Sequence, residues 1–428
     1  IIFQMAYNLN EYADLLRLTT DKNYSNEKFI KVKKQNHLFV LKYDKSKLST
    51  QNINSLGLFR SVIVDNKGNV LCISPPKSIN FDIFSQSNNY DDCIVQHFPE
   101  GTMINLFFDK HLDDWQITTR STIGAKCNFN MDSTITYRYM FLDAMNHKGI
   151  EFEHFDKKYC YSFVLQHPKN RIVCPISEPN IILTHRYEIV DNIIKLHQDS
   201  DGLFDDKLIE KTMITSNNKP QKFSRLSQHH INDTNFISCF NYNGNSWNDL
   251  IKHFFSDNLS YQFQGIVIYN KKGERTKIRN ATYERIKHLK GNSPKLQYQY
   301  YHLRQQGAVK DFLKYYPENK EEFSDFRREL HKWTNQLYQN YINCFINKEK
   351  PLKNYPYNFK THMFKVHEIY LNNLKHENKF VNKGVIIEYV NTLPPPRLMY
   401  SVNHNKKQFD KDQKIVTSDL KVLIKSEI

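Results

Sequence analysis

Up to about residue 285 the apolar positions mostly alternate with polar ones; beyond it they recur every three or four residues. Period two marks half-buried strands and the longer period marks amphipathic helices. Phe29-Ile30-Lys31-Val32 and His37-Leu38-Phe39-Val40-Leu41 read as paired strands. Ser61-Val62-Ile63-Val64, the turn Asp65 to Asn69, and Val70-Leu71-Cys72-Ile73 form a hairpin pattern. Ile104 to Phe108 and Trp115 to Thr119 continue the same sheet. Tyr161 to Leu165 and Arg171 to Ile176 read as strands. Gly265 to Tyr269 and Thr276 to Arg279 make a last hairpin.

Helical patterns interrupt this β run and then replace it. Residues 1–20 contain a short one, with Tyr12, Leu15, Leu16 and Leu18. Others cover 134–156, where a polar turn ends the helix, and 245–256. Residues 212–235 are polar and read as an inserted loop, and His229-His230 there is an exposed pair without metal partners. Phe323, Phe326, Leu330, Trp333, Leu337, Tyr341 and Phe345 trace one long amphipathic helix. Phe364, His367, Leu371 and Leu374 trace another, and both stripes read as core. Pro394-Pro395-Pro396 breaks the chain before Leu398 to Val402, and Lys406 to Lys414 is a solvated run. The expectation is α+β: a mixed antiparallel β core with flanking helices over 1–285, then a mainly helical domain over 286–428.

Composition changes the picture in three ways. Hydrophobic residues are only 39%, yet the chain has 29 Phe and 26 Tyr, which argues for a packed core rather than disorder. Sixty Lys and Arg against 45 Asp and Glu give a net charge of +15, which favours polyanionic partners such as RNA or nucleotides. Seven scattered cysteines without a CxxC pair point to a reducing, cytosol-like compartment and away from structural zinc. No apolar run approaches the ~20 residues that span a bilayer, so no membrane role is expected. The opening residues lack the pattern of a secretory signal, and Met5 is an alternative initiator.

Several segments, in order, resemble the T4-type RNA ligases, a family of the covalent nucleotidyltransferases. Leu58-Phe59-Arg60-Ser61-Val62 through Pro76-Lys77-Ser78-Ile79-Asn80-Phe81 is similar to the strands before the nucleophile. Phe98-Pro99-Glu100-Gly101-Thr102 stands at the Lys-x-Asp/Glu-Gly motif, on what reads as the strand entering the pocket, and Thr119-Arg120-Ser121-Thr122-Ile123-Gly124 at the polar motif after it. Phe163-Val164-Leu165 with Pro168-Lys169-Asn170-Arg171-Ile172-Val173 resembles the Phe-Glu-Phe strand and its Asn-Arg-Ile-Val continuation. Gln264-Gly265-Ile266-Val267 and Lys277-Ile278-Arg279 stand where Glu-Gly-x-Val and Lys-x-Lys are usual. The match runs from about residue 30 to 320.

The resemblance implies adenylyl transfer, in which a lysine amine attacks the α-phosphorus of ATP while strand carboxylates hold Mg²⁺. Phe98 has no amine, and Lys77 and Lys110 are displaced from its position. Val164 and Gln264 replace the two carboxylates. Phe98 reads as a packed strand residue more readily than as a stacking platform. Arg60, Lys77, Glu100, Gly101, Arg120, Asn170, Arg171, Lys277 and Arg279 remain as candidate contacts to sugar and phosphate. The expectation is a degenerate ligase-like protein that binds RNA, an RNA end or a nucleotide noncovalently, with no metal site. One alternative is an active ligase using ATP and Mg²⁺ through another nucleophile. A second is a scaffold whose C-terminal helices are a protein-partner surface. The Asn, Lys and Ile bias together with the resemblance points to an AT-rich genome such as that of a large DNA virus, with a viral factory or virion as alternative locations.

Overall fold

The computed structural model describes residues 6–128, 134–196, 246–254 and 259–404; the insertion at 212–235, His229-His230 and the run from Lys406 lie outside them. The chain divides into two compact units, Ile1–His288 and Leu289–Ile428. The first is mixed α/β and the second is helical.

Among the described residues, the thirteen strands of the first unit pair antiparallel, in three sheets. A four-stranded sheet runs in sequence order through β2 (Ile30–Gln35), β3 (Leu38–Tyr43), β4 (Val62–Val64) and β5 (Val70–Ile73). A six-stranded sheet contains β1 (Ala6–Asn8), β7 (Thr102–Asp109), β8 (Asp114–Thr119), β9 (Tyr159–Gln166), β10 (Asn180–Val190) and β11 (Ile193–Leu196). Its order is β1-β11-β10-β9-β7-β8. The third sheet is β13-β12-β6, built from β6 (Ile94–His97), β12 (Gly265–Tyr269) and β13 (Arg275–Arg279). The expected continuation of one sheet into Ile104 and Trp115 therefore fails: a helix (Phe81–Ser87) intervenes, and β7 pairs with β8 and β9 instead.

The short helical pattern expected within residues 1–20 is met by the helix Leu15–Thr20, started by the Asp14 side chain accepting from Arg17 N–H, while β1 ahead of it pairs with β11. One further local reading is corrected. Residues 171–176 form no strand, because the Val173 and Cys174 amides donate to a side chain instead of a ladder. The strand lies after them, in β10, whose polar interruptions at Thr184, His185 and Arg186 hid its period.

One core packs the four- and six-stranded sheets together, with Leu41, Val62, Ile73, Leu106, Ile117, Phe163 and Leu183 among its buried residues. A separate core under the three-stranded sheet holds Phe84, Leu250, Phe254, Ile266, Ile268 and Ile278. Two faces of that sheet therefore differ. Ile266, Ile268 and Ile278 line the apolar face, while the residues paired across the other face include Val267 with Lys277 and Tyr269 with Arg275.

In the second unit Lys320–Tyr341 buries Phe323, Leu330, Trp333, Leu337 and Tyr341, as the spacing requires. Tyr357–Asn372 buries Phe359, His362, Met363 and Val366. Its expected stripe is displaced: Phe364 is 56% and Leu371 43% exposed, while the true face lies one position away. Pro395 opens a final helix, Pro395–Val402, where a missing N–H costs nothing. Among the described residues no helix is long and apolar enough to cross a membrane.

Candidate phosphate-binding cleft

β6 ends at His97, so the segment Gln96 to Ile104 is not one strand: Phe98 to Gly101 connect β6 to β7. The Phe98 amide extends the pairing by donating to Gly265 O at 2.9 Å. On its other side Gly265, at φ +143, is required by β13, since a Cβ there would lie 2.1 Å from Ile278 O. Gly101 is needed for the same reason on the other side: with φ +152, its Cβ would meet Leu165 O at 2.4 Å and Val164 Cγ1 at 2.5 Å.

Glu100 is buried, and its carboxylate is spent inside the protein. Both oxygens accept from Val173 and Cys174 N–H at 3.1–3.2 Å, and the Tyr283 hydroxyl shares it. Burial and then Glu100 raise both the Tyr283 and the Cys174 values, so both groups stay protonated. Gln166 Nε2 donates to Glu100 O at 2.8 Å. Asn170 Nδ2 donates to Thr102 Oγ1 at 2.9 Å, and Arg171 Nε and Nη2 donate to Val173 O at 3.1 and 3.0 Å. These three motif residues thus knit the 167–174 turn to the start of β7. As placed, Glu100 has no free oxygen for a sugar or metal.

The cationic residues are arranged differently. Lys277 and Arg279 share one face of β13 and close over Phe98, with Lys277 Nζ 5.2 Å and Arg279 Cζ 6.0 Å from its ring centroid. The half-buried Phe98 ring therefore faces this cationic pair, and its cation-covered face is no open stacking platform. Arg275, on the same face of β13, donates from Nε and Nη2 to Pro76 O at 2.9 and 2.6 Å and from Nη2 to Pro75 O at 3.2 Å. Arg60 Nη1 donates to Pro75 O at 3.2 Å. Carbonyls satisfy the donors of these guanidiniums but leave their charge uncompensated.

That charge is felt throughout the cluster. Burial first, and then Arg279, Arg275, Arg60 and Lys77, push the Lys277 ammonium down to about 7. Burial, then Arg60 and Arg279, lower Lys77; burial, then Arg275 and Arg120, lower Arg60. Arg279 has a carboxylate partner in Glu284 at 3.3 Å. Among the described residues no carboxylate pairs with Arg60, Lys77, Arg275 or Lys277. Arg120 is exposed at the tip of the Thr119–Thr122 turn and acts electrostatically on Arg60.

Sequence reading missed Arg275 because it began the strand at Thr276. The alternation Arg275, Lys277, Arg279 around apolar or buried Thr276 and Ile278 was the available signal.

Val164 and Gln264 are both buried, and Gln264 Oε1 has no hydrogen-bond partner. Neither supplies a carboxylate, and Glu100 is committed to backbone amides. Among the described residues no three His, Cys, Asp or Glu side chains converge as a metal site. The donor set around Phe98 does not fit Mg²⁺.

No family model matches the chain. Over 92 residues it is 33% identical to the RNA ligase of Rhodothermus phage RM378, a stretch that spans 20% of this chain and 20% of that ligase. The solved structure of the "Putative ATP-dependent DNA ligase" of Aquifex aeolicus superposes over 75% of this chain and 80% of its own, with a TM-score of 0.35 and 13% identity. Over a fifth of its length, then, this chain is similar to a nucleic-acid ligase.

Proposed function

We propose that the cleft around Phe98 binds the phosphates of a nucleotide or an RNA end noncovalently, in a ligase-like protein that has lost nucleotidyl transfer. The observation that carries this reading is the set of Arg60, Lys77, Arg275 and Lys277. Four shielded cations with no carboxylate among them are costly unless an anion joins them. A polyphosphate or phosphodiester supplies that anion. Its oxygens would accept from Lys277, Lys77 and Arg279, while the Pro75 and Pro76 carbonyls hold Arg60 and Arg275 in place. Phe98 covers the Lys277 ammonium and supplies no nucleophile. The short similarity to a phage RNA ligase supports an RNA rather than a generic anion.

The test is binding of a labelled oligoribonucleotide and of ATP across a salt series. Affinity should fall steeply with salt, with a slope of about −0.7 for each phosphate neutralised on a single strand. Absence of salt-sensitive binding to either probe refutes the reading.

Lys277 favours a second reading. A lysine with a value near 7 is partly an unprotonated amine at neutral pH, the form that attacks the α-phosphorus of ATP, making a P–N bond as the α–β anhydride bond breaks and pyrophosphate leaves. Incubation with ATP labelled at the α-phosphorus separates the two. Noncovalent binding leaves no label on the denatured protein, whereas a label that survives denaturation and is lost in Lys277→Arg identifies an enzyme.

A further inference from the structure

The helix Tyr357–Asn372 is apolar on two opposite faces. One face packs inward through Asn358, Phe359, His362, Met363 and Val366. Away from it, Tyr357, Phe364 and Leu371 are 65%, 56% and 43% exposed. They stand seven residues apart, about 20° short of two full turns, so they form one nearly straight line. His362 and Val366, two residues to either side of Phe364, lie about 160° away from it. The exposed line is therefore opposite the packed face.

A single apolar residue at a surface requires no explanation. A line of three, spanning about 21 Å of helix, departs from the usual arrangement of one core-facing stripe and a polar back.

The charges beside the line say what covers it. Lys360 precedes Phe364 by four residues and Glu368 follows it by four, so each lies about 40° to one side of it. The stripe is thus ordered about Phe364: an apolar residue seven positions away in either direction, and opposite charges four positions away. An isologous contact needs one surface that complements itself under a two-fold rotation. An antiparallel second copy, with the two-fold axis at Phe364, meets that condition. Tyr357 comes level with the partner's Leu371, Lys360 comes level with the partner's Glu368, and the two Phe364 rings meet at the axis. Parallel pairing would set Lys360 against Lys360 and Glu368 against Glu368.

Both charges are free to turn to a partner. Lys360 Nζ donates to Lys353 O at 3.2 Å, and Glu368 Oε2 accepts from Lys365 Nζ at 2.7 Å. An exposed ion pair such as the second contributes little and is readily exchanged.

We propose that this stripe is a self-association surface, through which two copies of the chain pair their Tyr357–Asn372 helices antiparallel about Phe364. The inference is independent of the cleft. The helix has 16 residues and is about 24 Å long, so the seam lies at the small end of specific interfaces. Pairing is correspondingly reversible, with a dissociation constant on the order of 10 μM.

Sedimentation velocity of the full-length chain from about 1 to about 100 μM reads the association, and wild type should pass from monomer to dimer over that range. Phe364→Glu, at an exposed position and with its fold verified by circular dichroism, places two carboxylates at the axis. It should weaken association at least about tenfold. Lys360→Glu alone and Glu368→Lys alone each oppose like charges twice and should weaken it about three- to tenfold. Mixing these two variants restores opposite charges at both levels, so the mixture should associate within about twofold of wild type. Wild type that stays monomeric to about 100 μM overturns the proposal. So does a dimer that Phe364→Glu leaves intact, or a pair of charge variants that does not recover on mixing. If Phe364→Glu lowers affinity for an oligoribonucleotide without changing the sedimentation, the stripe faces nucleic acid and a second copy is not its occupant.

Discussion

The two sides of the cleft differ in what they leave unsatisfied. On the Glu100 side every polar group named above is consumed by the protein: the carboxylate by Val173, Cys174 and Tyr283, Asn170 by Thr102, and Arg171 by Val173. On the β13 side the guanidiniums find carbonyls, but four cations find no counter-charge among the described residues. The first side resembles a ligase motif in its letters and works here as structural fastening. The second departs from the motif at Phe98 and carries the surplus charge. Motif letters thus end in two different states, spent inside the protein at Glu100, Asn170 and Arg171, and left with surplus charge at Arg60, Lys77 and Lys277.

The sharpest way to break this comparison is Glu100→Ala. It strands two buried backbone donors and should cost about 3–4 kcal/mol, read as a shift in the urea midpoint. ATP affinity of the folded protein should change by less than about twofold. A large affinity loss with little loss of stability would return Glu100 to the binding machinery. Next is Lys277→Met, where the signs reverse. Removing a crowded, shielded cation should raise stability by about 1–3 kcal/mol while ATP affinity falls about tenfold. A destabilised Lys277→Met protein with unaltered affinity contradicts the assignment.

The pH response is smaller and has a definite direction. Folding lowers Lys277 from 10.5 to about 7, so between these values the unfolded chain holds a proton that the folded one lacks. Its contribution therefore makes the protein more stable as pH rises through that window. Phosphate binding recharges the amine, so affinity for an oligoribonucleotide lacking terminal phosphates should fall by up to about tenfold from about pH 6 to pH 8. Lys277→Met should flatten that profile; a profile that persists places the titrating group elsewhere. Smallest of all is the expected gain from Phe98→Lys. A lysine there joins Lys277 and Arg279 with no carboxylate at Val164 or Gln264 to hold a metal, so no lysyl-nucleotide should form. A labelled Phe98→Lys protein would show that those two positions were misjudged.

What the sequence determined by itself follows from short-range periods. Short apolar runs bounded by turn residues at Val62–Val64, Val70–Ile73 and Gly265–Tyr269 specified hairpins, and the three-to-four spacing from Phe323 to Tyr341 specified a helix with its buried face. It also named most of the cations, because charge is written in residue type. It misplaced Phe364 and Leu371, since a one-position turn of a helix exposes a stripe that composition alone calls apolar. The tertiary structure decided which sheet each strand joined, and with it which charges meet. Lys77, Arg60 and Arg275 come from three separate stretches, brought together by the Pro75 and Pro76 carbonyls. Whether a cation is paired or left over depends on such long-range neighbours, so the balance of Glu100 against Lys277 exists only in the folded chain.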